Sequence, residues 1–489
     1  MSTHHLVNNA QKGNFEAAVQ VFQNYKDSAP EFEKNEKLAV DAFENSVSIL
    51  QSNFYLNELT ISNFKKILDL NIILHQNLTV FIGENGVGKT SLLEAIRKNL
   101  MWIAATTRKD NTNGGTIDTK EEVNTFYKDK GAYIDCEFQI GKNYKCKGRV
   151  ATPPDGVISD LKSELTKYRE LGRNFRILNT YQNIDLPLFA FYGIDRIQIT
   201  GKKSKSSEFG KIEGYDSSLS LNDKTSFDTL IIWLVQQLKL AKEGNTYLQE
   251  KNIKNINAKK AIQNVEILFK KIYPELKEIK LIYEDDGKDK VVIELENEQI
   301  YLHQFSDGQR VLFGLIGDIA RRLLLLNDVS DTPFNGRGMV LIDEIELHLH
   351  PSWQQKIILI LRESFPNIQF IVTTHSPHVI TTVEPECIRS IYIDKETKKF
   401  KYDIPTFTKG AESNVVLEDV FDVDPRPTWN IESTDWLKQY TDLVNKDLWD
   451  SEKAIALRKK LDAWGKNKET ELDKIDIEIS LRAFKRSKK

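Results

Sequence analysis

The sequence predicts an α/β fold in which helices cover both faces of a mixed β-sheet. Residues 78–82 form an apolar run that leads into a glycine-rich loop and then into a helical segment. Residues 338–342 form a second apolar run that ends at two adjacent carboxylates, and residues 369–374 form a further predicted parallel strand that ends at a histidine. Continuous apolar runs of this length are typical of strands buried on both faces of a parallel sheet. We therefore expect three strand ends to carry functional residues.

Composition limits the class of protein. At 489 residues, of which 40% are apolar, the chain is long enough for two or three domains with their own cores. A net charge of −3 argues against a protein that coats nucleic acid by bulk electrostatics. A local basic patch is still compatible with this net charge. The spacing of Cys136, Cys146 and Cys387 supports neither a disulfide framework nor a zinc site. Since no segment resembles a signal peptide or a membrane span, we expect a cytoplasmic protein without membrane contact.

The elements of the first half are predicted from their hydrophobic periods. Residues 1 to about 50 carry two helical stripes separated at residues 27–30, which predicts one helical hairpin. The polar stretch 104–130 is expected to be a long mobile loop, and the Lys/Ser-rich stretch 202–211 a linker. Strands are predicted at residues 56–63 and 68–74, and alternating apolar residues predict an antiparallel hairpin at residues 132–140 and 144–150.

The second half contains a helical insertion and a helical tail. Two helical stretches are predicted between residues 226 and 276. The tail carries Trp436, Trp449 and Trp464, which either form a docking surface for another chain or pack onto the rest of this one. The predicted division has five parts: an N-terminal helical hairpin (1–52), a lobe with the glycine-rich loop and an antiparallel β subdomain (53–212), a helical insertion (213–276), a second lobe (277–428) and a C-terminal helical tail (429–489).

The glycine-rich loop has the GxxxxGK[ST] spacing of a phosphate-binding loop. Because the loop lies between a predicted strand and a predicted helix, a glycine turn that matches this spacing by chance is a poor explanation. In such a loop, backbone N–H groups and the helix N-terminus wrap the phosphates, Lys89 neutralises the β and γ phosphates and Thr90 ligates Mg²⁺. We therefore predict ATP and Mg²⁺ as cofactors. The candidate nucleotide-binding residues are Gly83, Glu84, Asn85, Gly86, Val87, Gly88, Lys89, Thr90 and Ser91.

The two carboxylates at the end of the second apolar run fit the same chemistry. A strand-end aspartate in such folds completes the Mg²⁺ shell, so Asp343 is predicted to act beside Thr90. Glu344, one residue farther on, is placed to polarise an attacking water. Two acids that only solvate a strand end are a weaker explanation, because four apolar residues precede them.

A third motif, Ser306-Asp307-Gly308-Gln309, resembles the signature sequence of ABC-type ATPases, which usually reads Leu-Ser-Gly-Gly-Gln. The resemblance implies that Ser306, Gly308 and Gln309 contact ATP held by a second copy, in a head-to-tail homodimer. On the residues alone, Ser306 also fits an ordinary N-cap of the helix that follows.

Further residues are assigned by resemblance to the same superfamily. His375 resembles the switch histidine, which hydrogen-bonds the γ-phosphate, and is a second candidate catalytic residue beside Glu344. Lys65 stands where related ATPases often have an arginine that contacts nucleotide. These ATPases also have a lid glutamine, for which Gln139 and Gln182 are both candidates.

Together the motifs resemble the RecF/SMC/OLD-like branch of ABC ATPases over roughly residues 54–425, which implies an ABC-type ATPase head. They are more closely similar to the PtuA-type ATPases of Septu and retron anti-phage defence systems. The closer resemblance is carried by Phe305–Val311, by Leu341–Pro351 with Trp353–Gln355, and by Phe365–Phe370 leading to Thr373–Pro377.

This resemblance implies partners. They are an HNH endonuclease of PtuB type, a retron reverse transcriptase with its DNA–RNA element, and further copies of the chain in an assembly of dimers. Because the chain has no HNH-like arrangement of its own, DNA cleavage is expected from the partner. Three functions stay open: a slow ATP-hydrolysing switch that governs the nuclease, a scaffold that binds ATP with negligible turnover, and a RecF-like DNA repair ATPase.

Overall fold

The computed structural model describes residues 3–154, 160–195, 210–221, 226–243, 258–283, 289–427 and 431–487. The chain divides into two compact units, Met1–Ala411 and Glu412–Lys489. The second unit therefore begins before residue 429, where the tail was predicted to start. Of the linker predicted at residues 202–211, residues 202–209 lie outside the described residues.

The strands of the described residues are numbered in chain order. They are β1 Phe54–Phe64, β2 Ile67–Ile73, β3 Leu78–Ile82, β4 Ala132–Ile140, β5 Tyr144–Thr152, β6 Leu188–Tyr192, β7 Leu276–Tyr283, β8 Asp289–Leu295, β9 Gln299–Tyr301, β10 Gly338–Ile342, β11 Ile368–Thr373, β12 Ile388–Ile393 and β13 Phe400–Asp403.

The α-helices of the described residues are numbered in the same way. They are α1 Thr3–Gln11, α2 Phe15–Asp27, α3 Glu36–Leu50, α4 Lys89–Arg108, α5 Thr166–Tyr181, α6 Ser226–Glu243, α7 Ala258–Lys270, α8 Asp307–Leu326, α9 Pro351–Gln354, α10 Ile357–Ser364, α11 Pro377–Ile380, α12 Ser413–Asp419, α13 Glu432–Asn445, α14 Glu452–Gly465 and α15 Thr470–Ser487.

A six-stranded sheet in the order β13-β12-β3-β11-β10-β6 forms the centre of the first unit. The pairs from β12 to β6 are all parallel, and only the edge pair β12–β13 is antiparallel. The predicted α/β class with a mixed sheet is confirmed. Because β3, β11 and β10 are parallel neighbours, their carboxyl ends meet at one edge of the sheet. That edge receives the glycine-rich loop, the two carboxylates and the histidine.

The predicted antiparallel β subdomain is a four-stranded sheet in the order β2-β1-β4-β5. One side chain ties it to the central sheet. Gln369, on β11, is 1% exposed; its Oε1 accepts the N–H of Leu56 at 2.7 Å and its Nε2 donates to the carbonyl of Leu56 at 2.9 Å. The side chain thus completes backbone hydrogen bonds that β1 would otherwise leave unpaired at this position.

The N-terminal segment contains the predicted hairpin as α2 and α3, and a short helix, α1, that was not predicted as a separate element precedes it. Gly13 has a φ of 87°, which ends α1 because this left-handed conformation does not continue a helix. The side chain of Asn14 then caps α2 by accepting the N–H of Ala17 at 2.9 Å. Phe15 packs against Tyr144 and Phe175, so these helices lie on the β subdomain and on α5.

The stretch 104–130 is not a free loop. Helix α4 continues to Arg108, and the chain beyond it is irregular but packed, with Ile117 and Val123 buried. The N–H of Lys65 donates to the carbonyl of Glu122 at 2.6 Å. The loop is therefore held against the turn between β1 and β2.

The predicted helical insertion contains α6 and α7, but α7 ends at Lys270, not near Leu276. Leu276 instead begins β7, the first strand of a separate sheet in the order β7-β8-β9. Leu230, from α6, packs closely against Gly317 of α8, because a Cβ at that glycine would lie 2.4 Å from the Leu230 side chain.

The second unit is a helical bundle with its own core, formed by Leu437, Tyr440, Val444, Ala454, Leu457, Leu461, Leu472 and Ile475. Trp436 and Trp449 pack partly against this core, whereas Trp464 is 44% exposed. Among the described helices, none combines the length and apolar composition that a membrane crossing requires.

Candidate functional site

A cavity of about 690 Å³ opens at the carboxyl ends of β3, β10 and β11. It contains most of the predicted site. The predicted residues that line it are Lys65, Asn85, Gly86, Gly88, Lys89, Thr90, Ser91, Asp343, Glu344 and His375. Gly83, Glu84 and Val87 complete the loop behind this wall without lining the cavity themselves.

The glycine-rich loop keeps its shape because two glycines have conformations that side chains resist. A Cβ at Gly83 would lie 2.3 Å from the carbonyl oxygen of Ile391, so only glycine fits there. Gly88 precedes α4 with a φ of 104°, in the left-handed region. These glycines place the N-terminus of α4 at the cavity, where its unpaired N–H groups and dipole favour anions.

Lys89 is the first residue of α4 and is 6% exposed. Its Nζ donates to the carbonyls of Gly83 at 2.9 Å and of Glu84 at 3.0 Å. Burial lowers the pKa of the ammonium, and nearby carboxylates, with Asp343 foremost, oppose that shift. A buried cation beside helix N–H groups is suited to bind a polyanion such as a triphosphate.

The loop and β10 meet through one hydrogen bond between residues that are far apart in the sequence. Thr90 Oγ1 donates to Asp343 Oδ2 at 2.9 Å. The other carboxylate oxygen, Oδ1, accepts from Thr373 Oγ1 at 2.6 Å, and Asp343 is 2% exposed. A hydroxyl and a carboxylate oxygen are the ligands that Mg²⁺ takes beside phosphate groups, so this pair fits that ion.

Glu344 lines the cavity with its backbone held in an uncommon conformation. Its φ of 46° lies in the left-handed region, which non-glycine residues seldom occupy. Two hydrogen bonds to β11 hold it there: its own N–H donates to Thr373 Oγ1 at 2.7 Å, and the N–H of Ile345 donates to the Thr373 carbonyl at 3.1 Å. Backbone strain of this kind is found at functional sites.

Glu346 fixes the segment that carries His375, a role that the sequence did not reveal. Its Oε1 accepts the N–H of His375 at 2.6 Å, and its Oε2 accepts from Thr374 Oγ1 at 2.7 Å. Burial, followed by the charge of Lys89, lowers the pKa of His375. The imidazole is therefore neutral at pH 7.

The turn after β1 and the loop 121–126 form another part of the cavity lining. Lys65 lines the cavity and forms an ion pair with Glu94 on α4. Asn124 Nδ2 donates to the Lys65 carbonyl at 2.9 Å, and Phe126 lines the cavity with 88% of its surface exposed. No sequence signal marked this loop, because its polar composition matches that of solvent-exposed connections.

The signature-like residues lie away from this cavity. Ser306 caps α8 by accepting the N–H of Gln309 at 3.4 Å, and Gln309 Oε1 accepts the N–H of Ser306 at 2.8 Å. A Cβ at Gly308 would lie 2.6 Å from the carbonyl oxygen of His348, which ties the start of α8 to the segment after β10. Ser306 is therefore the N-cap of α8, as one of the two interpretations of the sequence predicts. Ser306 is also exposed.

Neither candidate for the lid glutamine lines the cavity. Gln139 is buried in β4, where its Nε2 donates to the carbonyl of Gly141 at 2.9 Å. Gln182 is exposed and follows the end of α5.

Comparisons with known proteins show the family to which the chain belongs. The family model described as "AAA domain, putative AbiEii toxin, Type IV TA system" matches residues 78–381, more than half of the chain. The chain is 29% identical to the Retron Ec83 probable ATPase of Escherichia coli, covering 98% of this chain and 96% of that protein. It is also 29% identical to the Retron Vc95 probable ATPase of Vibrio cholerae, with coverages of 83% and 86%.

A third relative is the Septu protein PtuA of Bacillus thuringiensis, at 25% identity over 76% of this chain and 84% of that protein. The similarity to PtuA-type and retron-type ATPases is thereby confirmed. The chain is similar to the probable ATPases of retrons and to the Septu protein PtuA, and it belongs to the AAA-domain family whose description reads putative AbiEii toxin, Type IV TA system.

Proposed function

We propose that this protein binds ATP with Mg²⁺ in the 690 Å³ cavity, hydrolyses it slowly, and thereby controls a partner nuclease in anti-phage defence. The observation that carries the proposal is the 2.9 Å hydrogen bond between Thr90 and Asp343, next to Lys89. Residues 253 positions apart in the sequence come together there with the phosphate loop. If this hydrogen bond only stabilised the fold, neither a buried ammonium nor a helix N-terminus would be needed beside it.

Each residue has a role in this mechanism. The N–H groups at the start of α4 and the Lys89 ammonium bind the β and γ phosphates. Thr90 and Asp343 would hold Mg²⁺, which neutralises phosphate charge when it is bound. Glu344 accepts the proton of the water whose oxygen attacks the γ-phosphorus, and ADP leaves with the electron pair of the broken bond. His375, held by Glu346, donates a hydrogen bond to the γ-phosphate.

We further propose that ATP joins two copies of the chain head to tail. Ser306, Gly308 and Gln309 do not line the cavity of their own chain, and Ser306 is exposed at the start of a 20-residue helix. An exposed helix N-terminus is suited to meet the γ-phosphate bound by another copy. Such dimers would join into a higher assembly, as predicted from the sequence.

The partner is proposed to be an HNH endonuclease, together with a retron reverse transcriptase and its DNA–RNA element. The relatives named for retron and Septu systems support this proposal. Ile477, Leu481 and Phe484 are exposed on α15 at helical spacing, and Trp464 is exposed on α14. An exposed apolar stripe that includes an aromatic residue is suited to dock another protein. Nucleic acid would then be contacted chiefly through the partner, in the reducing cytoplasm.

The central test is the change Glu344→Gln. It should retain ATP binding while turnover falls at least about a hundredfold, because the amide cannot accept the proton of the attacking water. Lys89→Ala should abolish ATP binding measured by calorimetry, and the surface change Glu363→Gln should alter neither quantity. Turnover that survives Glu344→Gln would remove the catalytic role.

Two further measurements separate the alternatives. In a single-turnover assay, a scaffold would keep bound ATP unhydrolysed, whereas the proposed switch converts it to ADP. A RecF-like repair ATPase would bind duplex DNA by itself in a salt-sensitive manner, with no nuclease co-purifying. The proposed function predicts instead that a nuclease co-purifies with the chain when both are expressed from their natural gene neighbourhood.

A further inference from the structure

A second cavity, of about 410 Å³, lies along α4, beyond the phosphate loop. One wall is a single face of α4, because Arg97, Met101, Ala104 and Arg108 follow one another at spacings of three or four residues. The opposite wall is the segment 215–221. Arg97 is eight residues from Lys89, which corresponds to about 12 Å along the helix.

The segment 215–221 is anchored, so the cavity is built into the fold. The N–H of Phe191 on β6 donates to the carbonyl of Ser218 at 2.6 Å. The hydroxyl of Tyr215 donates to the carbonyl of Pro187 at 2.6 Å. Arg322 Nη1 donates to the carbonyl of Asp216 at 2.9 Å. Three hydrogen bonds, to β6, to the residue that precedes it and to α8, therefore hold this wall in place.

Arg97 carries a charge that the described residues do not neutralise by direct contact. It is 6% exposed, and Nη1 donates to the carbonyl of Leu219 at 2.8 Å. Among the described residues, no carboxylate lies within 4 Å of its guanidinium, and its Nε has no acceptor. Glu94 and Glu122 act on it from farther away.

Those two carboxylates are already engaged. Glu94 pairs with Lys65, and Glu122 pairs with Lys98 at 2.8 Å. Burial accordingly lowers the pKa of the Arg97 guanidinium. Burying a cation without a counter-ion is costly, and the cost is recovered when an anion binds beside it.

Two more polar groups belong to the same cavity. Ser218 is 3% exposed, and its hydroxyl has no hydrogen-bond partner. Arg108, whose side chain is 44% exposed, also lines the cavity and pairs with Asp216. The remaining surface is largely apolar, with Met101, Ala104 and Leu219 among its residues. The lining thus combines unsatisfied donors with an apolar surface.

We propose that this cavity is a second binding site, for a small organic phosphate of about the size of a nucleoside monophosphate. The phosphate would pair with Arg97 and Ser218, and the apolar body would lie against Met101 and Leu219. A volume of about 410 Å³ is within the range of sites for small ligands. The site is separate from the ATP cavity, and its existence does not depend on ATP hydrolysis.

The test uses the full-length chain with Lys89→Ala, so that binding at the phosphate loop does not contribute. AMP, dTMP, inorganic phosphate and adenosine are titrated by calorimetry. A nucleoside monophosphate should bind saturably. Inorganic phosphate should bind at least about tenfold more weakly because it lacks the apolar body, and adenosine should not bind because it lacks the charge. If none of the phosphate compounds binds saturably, the proposal is wrong.

Arg97→Gln should weaken the binding of the monophosphate about tenfold or more, because a charge-assisted hydrogen bond is lost. Arg173→Gln, at an exposed position on α5, is the matched control and should leave the affinity unchanged. Equal affinity in the Arg97→Gln variant would overturn the assignment.

A second variant keeps the test decisive if Arg97→Gln does not fold. Ala105→Phe fills the cavity and leaves Arg97 in place. It should abolish binding of the monophosphate while the melting temperature stays within about 3 °C of the parent chain. Monophosphate binding that persists in this variant would place the ligand elsewhere and contradict the proposal.

Discussion

Thr373 Oγ1 donates to Asp343 Oδ1 at 2.6 Å and accepts the N–H of Glu344 at 2.7 Å, so one hydroxyl orients both neighbouring acids. Thr373 is completely buried at the end of β11. The side chain of Asp343, which binds Mg²⁺ in our proposal, and the backbone of Glu344, whose carboxylate accepts the proton, are therefore positioned by a residue of the adjacent strand.

Thr373→Val preserves the shape of this side chain and removes its hydroxyl. We expect ATP turnover to fall about 10–100-fold, since residues that orient metal ligands contribute on this scale. ATP affinity should change less, because the phosphate loop is untouched. Turnover measured with saturating ATP checks the first expectation, and calorimetry checks the second. Thr373→Ser keeps the hydroxyl and should restore most of the activity; a Val variant as active as the parent would contradict the positioning role.

The central residues of the site were accessible from the sequence because short motifs determine them locally. The glycine spacing around Lys89 and the apolar run before Asp343 each carry their own structural context, and parallel pairing then brings them together. Thr373 and Glu346 were not accessible, because their roles depend on contacts between strands and loops that no local pattern records. The same holds for Phe126, whose loop has an unremarkable polar composition.

Some secondary structure was not predicted although the sequence carries a signal for it. Helix α5 carries buried residues at positions 168, 171, 175 and 178, a helical spacing that would have predicted it. The break between α1 and α2 was also marked, by Gly13 followed by the N-cap Asn14. Gln369 is different: its link to Leu56 could be found only from the fold, since a lone glutamine in an apolar strand has many explanations.

Stability at mildly acid pH should depend on His375. Burial, followed by the charge of Lys89, lowers its pKa in the folded state below the ordinary value of about 6.5. The unfolded chain therefore binds this proton more readily, so the contribution to stability is complete above about pH 6.5 and is lost as the pH falls through the lowered pKa. Urea unfolding at pH 7.5 and 5.5 measures this loss, which should be smaller in His375→Gln than in the parent.

His75 provides an internal comparison for that experiment. Burial, followed by the charge of Arg389, lowers its pKa as well, so it contributes with the same sign. The double variant His75→Gln, His375→Gln should show a weaker dependence on pH than either single variant. An unchanged pH dependence in His375→Gln would show that its protonation is not linked to unfolding.

Asp318 should be a principal determinant of stability. It is completely buried on α8, where it accepts from Arg321 Nη2 at 2.6 Å, Arg322 Nε at 2.7 Å and the Tyr192 hydroxyl at 2.9 Å. Burial alone would raise its pKa, but the two arginines outweigh burial and lower the pKa to about 2. Its contribution is therefore complete above about pH 4 and is lost as the pH falls toward 2.

Asp318→Asn leaves buried guanidinium groups without their carboxylate. We expect the free energy of unfolding to fall by about 3–5 kcal/mol at pH 7, the usual cost of removing one partner of a buried ion pair. Chemical denaturation measures it. Asp331→Asn is the control: it removes an exposed carboxylate that pairs with Lys260, and the unfolding midpoint should not move. A similar midpoint for both variants would refute the role of Asp318.

The proposed head-to-tail dimer is tested at Ser306. Ser306→Arg places a long side chain at the exposed start of α8, where the γ-phosphate bound by the other copy would approach. In the Glu344→Gln background, which should hold ATP, the parent sequence is expected to form ATP-dependent dimers or dimer-based assemblies. Ser306→Arg should prevent this association while leaving ATP binding by each chain within about threefold, because Ser306 does not line its own cavity.

Light scattering after size exclusion, with and without ATP, measures the association. Ser48→Arg, exposed on α3, adds the same charge elsewhere and should leave the association intact; an equal loss in both variants would indicate an effect of charge rather than a contact at the signature segment.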